Sequence, residues 1–449
     1  MKTFMEHQGS SHDVTSIHLV QHVNNEAAGH DSSDISQYIL CDQEADQRPR
    51  WKPGVRLHHL FEERCKQLIL AGDVRHLAVD SAEGQWSYPQ LNQRSNQLAR
   101  YLLAQGYGAG DLLGLLFDRS VHSYIALLAV LKINAAYVPL DPVFPDERIA
   151  FIANDARLRS VLTLTDYAEL AAASGKDVIC VESLDETLDQ FDNQVLTEQE
   201  TATPLSELCY VIYTSGSTGQ PKGVPIDQAN ICNFVRVAAE TYGYQSTDRV
   251  YQGLTLAFDF AVEEIWVPWL AGATLVPNQT GSSLLADELS EFLSEQHITA
   301  MCCVPTLLAT LDQTLPDLRL LVVSGEACPQ DLIERWANPQ RRILNAYGPT
   351  EITVTATVSE AVAGQPVSIG RPLPTYSVVI LEPGTNKVLP FGEEGEIVIG
   401  GIGVAKGYLN RKEQTDKVFI TDFLQLPHNP SGLLYRSGDL GVINENGDI

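Results

Sequence analysis

Hydrophobic positions begin to follow a regular pattern at Leu57-His58-His59-Leu60-Phe61, and from Tyr88 through Leu91, Leu98 and Leu102 they recur at helical spacing. Short β-rich runs then alternate with helical ones. Leu112 to Phe117 reads as a strand, His122 to Leu131 as a helix, and Ala135 to Leu140 as the next strand, stopped by Asp141-Pro142. This order predicts an α/β fold of mostly parallel sheets covered by helices, because parallel strands need crossovers that helices supply. From Gly370 the pattern changes. Runs such as Ser377 to Leu381 and Gly395 to Gly400, punctuated by Pro and Gly, predict a smaller β-rich subdomain. The organisation expected is a flexible or loosely docked polar leader over residues 1–50, an α/β core of two sheet subdomains over 51–369, and a β-rich subdomain over 370–449. The acidic stretch Glu182 to Glu200 reads as a solvated connection, and the stop at Gly447-Asp448-Ile449, just after a hydrophobic run and a turn signal, reads as a cut.

Composition narrows the classes of function. With 44% hydrophobic and 19% charged residues, the 449-residue chain is too apolar to be disordered and long enough for a sizeable core. Its 57 acidic against 30 basic residues give a net charge of -27, which repels a nucleic-acid backbone at long range. A nucleotide is not excluded, since backbone N–H groups, one Lys and a metal hold phosphate locally. The eight cysteines are scattered with no C-x-x-C, which predicts reduced thiols in a cytoplasmic protein. Neither a signal peptide nor a membrane span is read: Met1 to Asn25 lacks the required pattern, and Asp118, Arg119 and Lys132 break the longest apolar region.

The most informative segment is Tyr213-Thr214-Ser215-Gly216-Ser217-Thr218-Gly219-Gln220-Pro221-Lys222-Gly223, which follows the strand-like Leu208 to Ile212. Gly and small hydroxyl residues let a backbone approach phosphate closely, and the Lys supplies a point charge. The bland alternative is a linker. Because Pro221 precedes Lys222 and Gly223 follows it, the segment departs from the G-x-x-x-x-G-K-[ST] loop of ordinary kinases and ATPases.

This loop resembles the signature of adenylate-forming enzymes, which include acyl-CoA synthetases, luciferases and the adenylation domains of nonribosomal peptide synthetases. Four further stretches match in order: Leu131 to Asp141, Asn345-Ala346-Tyr347-Gly348-Pro349-Thr350-Glu351, Gly392 to Gly400, and Tyr435-Arg436-Ser437-Gly438-Asp439-Leu440. The resemblance covers roughly residues 57–449 and implies an adenylate-forming enzyme fold with ATP and Mg²⁺ as cofactors. It implies catalytic roles for Thr218, Lys222 and Glu351. Thr218 and Lys222 would contact the outgoing phosphates and Glu351 would hold the metal. Tyr347 would pack on the adenine, Asn345 would read its amino edge, and Asp439 would accept from the ribose. Further nucleotide contacts are implied for Thr214, Ser215, Gly216, Ser217, Gly219, Gly325, Glu326, Ala346, Gly348 and Thr350.

The substrate class is implied by Phe258-Asp259-Phe260-Ala261-Val262-Glu263-Glu264-Ile265-Trp266. In peptide-synthetase adenylation domains an Asp directly after this Phe pairs with the α-ammonium of an amino acid, whereas aryl-acid and fatty-acid relatives usually lack it. A helix N-cap is the plainer role for Asp259. Glu263 follows by four residues, so a helix starting here places both carboxylates on one face, although Glu263 could also point to solvent beside Glu264. The other matched pocket positions are Phe260, Cys302, Val322, Ser324, Ala346, Val354 and Thr355. Small apolar walls with one acid suit a long side chain ending in a cation. The run Phe258 to Pro268 also resembles the adenylation domain of ε-poly-lysine synthetases. The expected function is ATP-dependent activation of an α-amino acid, lysine or another basic one, as aminoacyl-AMP for a phosphopantetheine-bearing carrier protein. An acyl-CoA or aryl-acid ligase and a binding-only module are the alternatives. Family members continue into a hinge and a small C-terminal subdomain bearing a ribose-binding Arg, the catalytic Lys and a carrier surface. None is present in these 449 residues, which predicts low turnover for this piece.

Overall fold

The computed structural model describes residues 38–41, 46–201, 206–215, 220–278, 286–311, 315–426 and 429–449. Three sheets form among them. The first runs, in spatial order, Asp177–Cys180, Ser160–Thr163, Leu112–Leu116, Ala136–Leu140, Leu208–Thr214 and Lys222–Asp227. Its strands are parallel except the last pair, an antiparallel hairpin in which Thr214 faces Lys222. The second sheet is larger. Its parallel centre comprises Arg342–Tyr347, Leu320–Val323, Ala300–Cys303, Arg249–Gln252, Thr274–Pro277 and Leu77–Ser81, with antiparallel strands at both edges. The third sheet, Tyr376–Leu381, Gly395–Gly401, Leu433–Gly441 and Phe419–Thr421, is wholly antiparallel.

The parallel strands are apolar throughout because both their faces are covered. In the second sheet Cys302 and Val322 turn into the main core, while their neighbours Cys303 and Val323 pack with Met301, Leu321 and Trp336 on the other face. The helix Phe260–Ala271 packs on the second sheet and against the helices Leu57–Leu70 and Gln228–Tyr242, and is buried on every side from Phe260 to Trp269. Trp269 anchors it, with ring centroids 4.8 Å from Phe61 and 5.6 Å from Tyr124 and its indole N–H donated to the Ala78 carbonyl at 3.2 Å. The helix ends at Gly272, whose φ of 90° suits a residue without a Cβ.

Two sequence readings gain detail. The acidic stretch Glu182 to Glu200 is tied down by cations: Arg94 pairs with Asp185 at 2.6 Å and Asp189 at 2.9 Å, and Arg100 with Glu200 at 2.7 Å. Of the proposed leader, residues 1–37 and 42–45 lie outside the described residues, while Leu40 exchanges backbone hydrogen bonds of 2.8 Å with Val378 and Arg50 pairs with Glu240 at 2.9 Å. Those residues dock because Leu40 finds an apolar neighbour and Arg50 a carboxylate.

Lys132, inside the second matched stretch, is 2% exposed. Its ammonium bonds Glu62 of the helix Leu57–Leu70 and, at 2.8 Å, Asn92 of the helix Tyr88–Ala104, so one cation joins three helices. Removing one partner of a buried pair strands the other charge. Lys132→Ala is therefore expected to lower unfolding free energy by about 3–5 kcal/mol, and the double replacement Lys132→Met with Glu62→Leu to recover most of it. Urea denaturation of the three proteins checks this, and equal losses in single and double variants would contradict it.

Candidate active site

The hairpin and the segment after the strand Arg342–Tyr347 bring together the phosphate-loop Lys and the acid of the Asn345-to-Glu351 stretch. The strand delivers Asn345 and Ala346 into the core and leaves Tyr347 half-buried at its end. Gly348 follows because no Cβ fits there: one would meet the Val354 carbonyl oxygen at 2.4 Å. The chain then makes a 3₁₀ turn, Thr350–Ile352, and returns through Thr353 and Val354, whose φ angles of 67° and 68° are costly for β-branched residues. This turn buries Glu351.

Lys222 Nζ donates to Glu351 Oε1 at 2.9 Å and to the Tyr408 hydroxyl at 2.7 Å, and that hydroxyl donates to the same Oε1 at 2.6 Å. The ammonium also sits 4.2 Å from the centre of the Tyr408 ring. Burial drives the Tyr408 phenol far above its ordinary pKa, with the Glu351 charge adding to the rise, so it stays a donor at neutral pH. A buried carboxylate beside a Lys fits Mg²⁺, which takes one or two carboxylates and completes its shell with water and phosphate oxygens. Across the site Tyr347 donates its hydroxyl to Asp439 Oδ2 at 2.6 Å. Asn345 gives its amide to the Ser368 carbonyl at 2.7 Å. Gly325 has a φ of 84° and faces the Phe258 ring, and exposed Glu326 accepts from the Thr306 backbone at 2.9 Å, capping the short helix Pro305–Thr310. Thr214 has a buried hydroxyl without a partner among the described residues, and Ser215 is exposed. Gly216, Ser217, Thr218 and Gly219 lie outside the described residues.

The second half of the site is acidic and dry. Asp259 is the residue before the helix Phe260–Ala271 and makes no capping bond with its side chain, contrary to the plain N-cap role. Glu263 is fully buried one turn on, so it does not face solvent. Its Oε2 accepts from Thr355 at 2.9 Å, while Oε1 and Asp259 Oδ2 have no partner among the described residues. Burial pushes Glu263 up to about 8, opposed by the Thr355 and Tyr242 hydroxyls and reinforced by the Asp259 and Glu264 charges. It pushes Asp259 up to about 6, with Thr350 opposing and Glu351 adding. Glu264 differs in being satisfied: Gln252 donates at 2.8 Å, and the Gly253 and Leu254 N–H groups at 3.1 and 3.2 Å.

Register explains why the remaining pocket positions converge. Cys302 pairs with Val322, and Val322 with Leu344, so Ser324 and Ala346, two residues on, share their face beneath Phe260 and Val354. Tyr242, Tyr244 and Tyr408 were missed by sequence reasoning. Tyr244 lies 3.4 Å from Cys302 Sγ, and all three tyrosines sit beside Gly, polar and charged neighbours that form no recognisable site pattern. Elsewhere His58, His59 and Glu62 present ligand atoms within 4.8 Å of one another, but Glu62 is committed to Lys132.

Two acids whose proton affinity is raised by burial make the protein's stability pH-sensitive. Each binds more protons folded than unfolded, so stability is full below their ordinary values of about 4 and falls as pH rises, through about 6 for Asp259 and about 8 for Glu263. Glu263→Gln keeps the neutral shape. It is expected to melt like the parent near pH 5 and several degrees higher at pH 8.5, followed by circular dichroism. Parallel curves at both pH values would show that the buried acid is not the cause.

Residues 70–409 match the family described as AMP-binding enzyme. The chain is 40% identical over 396 residues to one of the linear gramicidin synthase proteins of Brevibacillus parabrevis, covering 88% of this chain and 5% of that protein. It is 38% identical over 376 residues to delta-poly-L-ornithine synthetase of Acinetobacter baumannii, covering 83% of this chain and 27% of that protein. It therefore spans only a small part of these curated relatives. Among solved structures, the nonribosomal peptide synthetase FmoA3 superposes with a TM-score of 0.78 at 26% identity, covering 90% of this chain and 43% of that one. With a phosphate-loop Lys joined to Glu351 and two acids buried behind them, the chain belongs to the AMP-binding enzyme family, as an adenylation domain of the nonribosomal peptide synthetase kind.

Proposed function

We propose that the chain activates an α-amino acid with a cationic side chain, lysine or its shorter homologue ornithine, as the aminoacyl-adenylate. The observation that carries this is the pair Asp259 and Glu263, two buried acids one turn apart, each with an oxygen that has no cation beside it and no well-formed hydrogen bond among the described residues. An unpaired buried acid is costly, and a substrate bearing two ammonium groups would answer both. Asp259, beside the 3₁₀ turn of Glu351, takes the α-ammonium and so holds the carboxylate toward the phosphate side. Glu263, deeper and walled by Cys302, Val322 and Val354, takes the distal ammonium. Similarity to a poly-ornithine synthetase supports a basic substrate.

In the reaction the substrate carboxylate attacks the α-phosphorus of ATP and pyrophosphate leaves. Lys222 and Thr218 steady the outgoing phosphates, and a bound Mg²⁺, held through Glu351, supplies further charge neutralisation. Tyr347 and Asp439 receive the adenosine, and Asn345 with its neighbours closes the base pocket. In the parent protein the product passes to a carrier-domain thiol, in the cytoplasm. Among the described residues no helix is long and apolar enough to cross a membrane.

Pyrophosphate exchange in the full-length parent tests this with lysine, ornithine, arginine, leucine, glutamine and an aryl acid. Lysine or ornithine is expected to lead. Glu263→Gln is expected to cut the leading substrate about 100-fold or more while sparing leucine, and Asp259→Ala to depress every amino acid alike. A panel led by leucine would remove the basic substrate and leave amino-acid adenylation standing, whereas one led by the aryl acid would remove both.

Lys222→Ala and Glu351→Ala are expected to lower exchange about 100-fold or more without unfolding the chain at the assay temperature. Wild-type kinetics in either variant would remove its phosphate or metal role.

A further inference from the structure

The segment after the strand Gly395–Gly401 runs as a strap between the phosphate hairpin and the 3₁₀ turn of Glu351. It is fastened on both sides. The Ala405 N–H donates to the Glu351 carbonyl and the Leu409 N–H to the Gly223 carbonyl, each at 2.8 Å. Thr353 Oγ1 donates to the Gly403 carbonyl at 2.6 Å, and the Asn230 amide to the Ile402 carbonyl at 2.6 Å. Tyr408 is thereby held where its ring packs on Phe419, with centroids 5.4 Å apart, beneath the Lys222 ammonium. Thr415 Oγ1 accepts its backbone N–H at 2.9 Å, and Tyr435 faces both Tyr408 and Glu351.

The bond pattern gives this tyrosine a task. Lys222 and Tyr408 both donate to Glu351 Oε1, leaving Oε2 uncommitted to either. If Lys222 turns to phosphate, Glu351 loses its cation while remaining 4% exposed. The Tyr408 phenol, 2.6 Å from Oε1, then remains as a donor that keeps the carboxylate in place, with Tyr435 close by. Without it, Glu351 would depend more heavily on Lys222, and the ion pair would compete with nucleotide for the Lys.

We propose that Tyr408 is a positioning residue: its hydroxyl fixes the Glu351 carboxylate for Mg²⁺ and lets Lys222 leave that carboxylate for phosphate. This rests on the adenylation reading above. Tyr408→Phe is the discriminating variant because it keeps the ring, its packing on Phe419 and its face toward Lys222, and removes one donor.

The experiment measures, by titration calorimetry on the 449-residue chain, the free Mg²⁺ at which binding of α,β-methylene-ATP is half-maximal. Loss of one charge-assisted hydrogen bond is expected to raise that concentration about tenfold in Tyr408→Phe, with lysine affinity and melting temperature unchanged. Glu351→Gln should raise it further, and the double variant should be no worse than Glu351→Gln alone, since the hydroxyl acts through that carboxylate. A Tyr408→Phe protein with wild-type Mg²⁺ dependence overturns the proposal and leaves the adenylation reading intact. So does an effect that adds in full to Glu351→Gln, or one that lowers melting temperature and lysine affinity together, as a purely structural role would. A parent chain with no Mg²⁺-dependent nucleotide binding overturns the adenylation reading and this proposal with it.

Discussion

Removing carboxylates from water is the constraint around which this protein is arranged. The helix Phe260–Ala271 is anchored by Trp269 against two helices and the strand Leu77–Ser81, and with the residue before it carries Asp259, Glu263 and Glu264 into an interior where an unsatisfied charge costs several kcal/mol. The chain answers each acid differently. Glu264 receives a side-chain amide and two backbone N–H groups, which makes it part of the framework. Glu263 and Asp259 are left with one oxygen each unanswered. That asymmetry separates architecture from site more sharply than residue type could, because neighbouring glutamates on one helix turn have opposite status.

The same economy governs the phosphate side. Glu351 is buried by a turn that tolerates Gly348 only without a Cβ and holds Thr353 and Val354 in left-handed conformations. Strain of this kind persists where surrounding contacts over-determine it. Here they do: the strap after Gly401 bonds the turn from one side, and the hairpin approaches from the other. The Glu351 turn and the buried acids of the Asp259 helix are thus joined through a short stretch of chain, with Thr350 beside Asp259 and Thr355 bonded to Glu263.

Much of this was legible in the sequence, for physical reasons that differ by element. Leu112–Leu116, Val121–Lys132 and Ala136–Leu140 fall within a residue or two of their reading because buried parallel strands and their crossover helix leave unbroken apolar runs. The Gly/Ser/Thr loop stands out by composition, and Asp259 and Glu263 by resemblance to peptide-synthetase adenylation domains, their four-residue spacing adding that both lie on one face. What stayed hidden depended on partners distant in the chain. The antiparallel pairing of Leu208–Thr214 with Lys222–Asp227 does not follow from alternating strands and helices. The acidic stretch to Glu200 is solvated as its sequence suggests, but nothing local shows that Arg94 and Arg100, about a hundred positions earlier, hold it. Tyr408 lies 186 positions from Lys222, and no local pattern distinguishes its phenol from a core aromatic.

The elevated proton affinity of Glu263 reaches beyond stability. At neutral pH the empty pocket holds that carboxyl largely protonated, so an arriving ammonium must drive the proton out before the two can pair. On the basic substrate proposed above, capture would be an exchange of one cation for another: a hydrogen ion goes to solvent as the substrate enters. The heat of binding consequently depends on the buffer that accepts the proton, and apparent affinity strengthens toward about pH 8 even though the substrate's own charge is constant across most of that range. A neutral amino acid releases no such proton, so alkalinity itself sharpens the choice between the two.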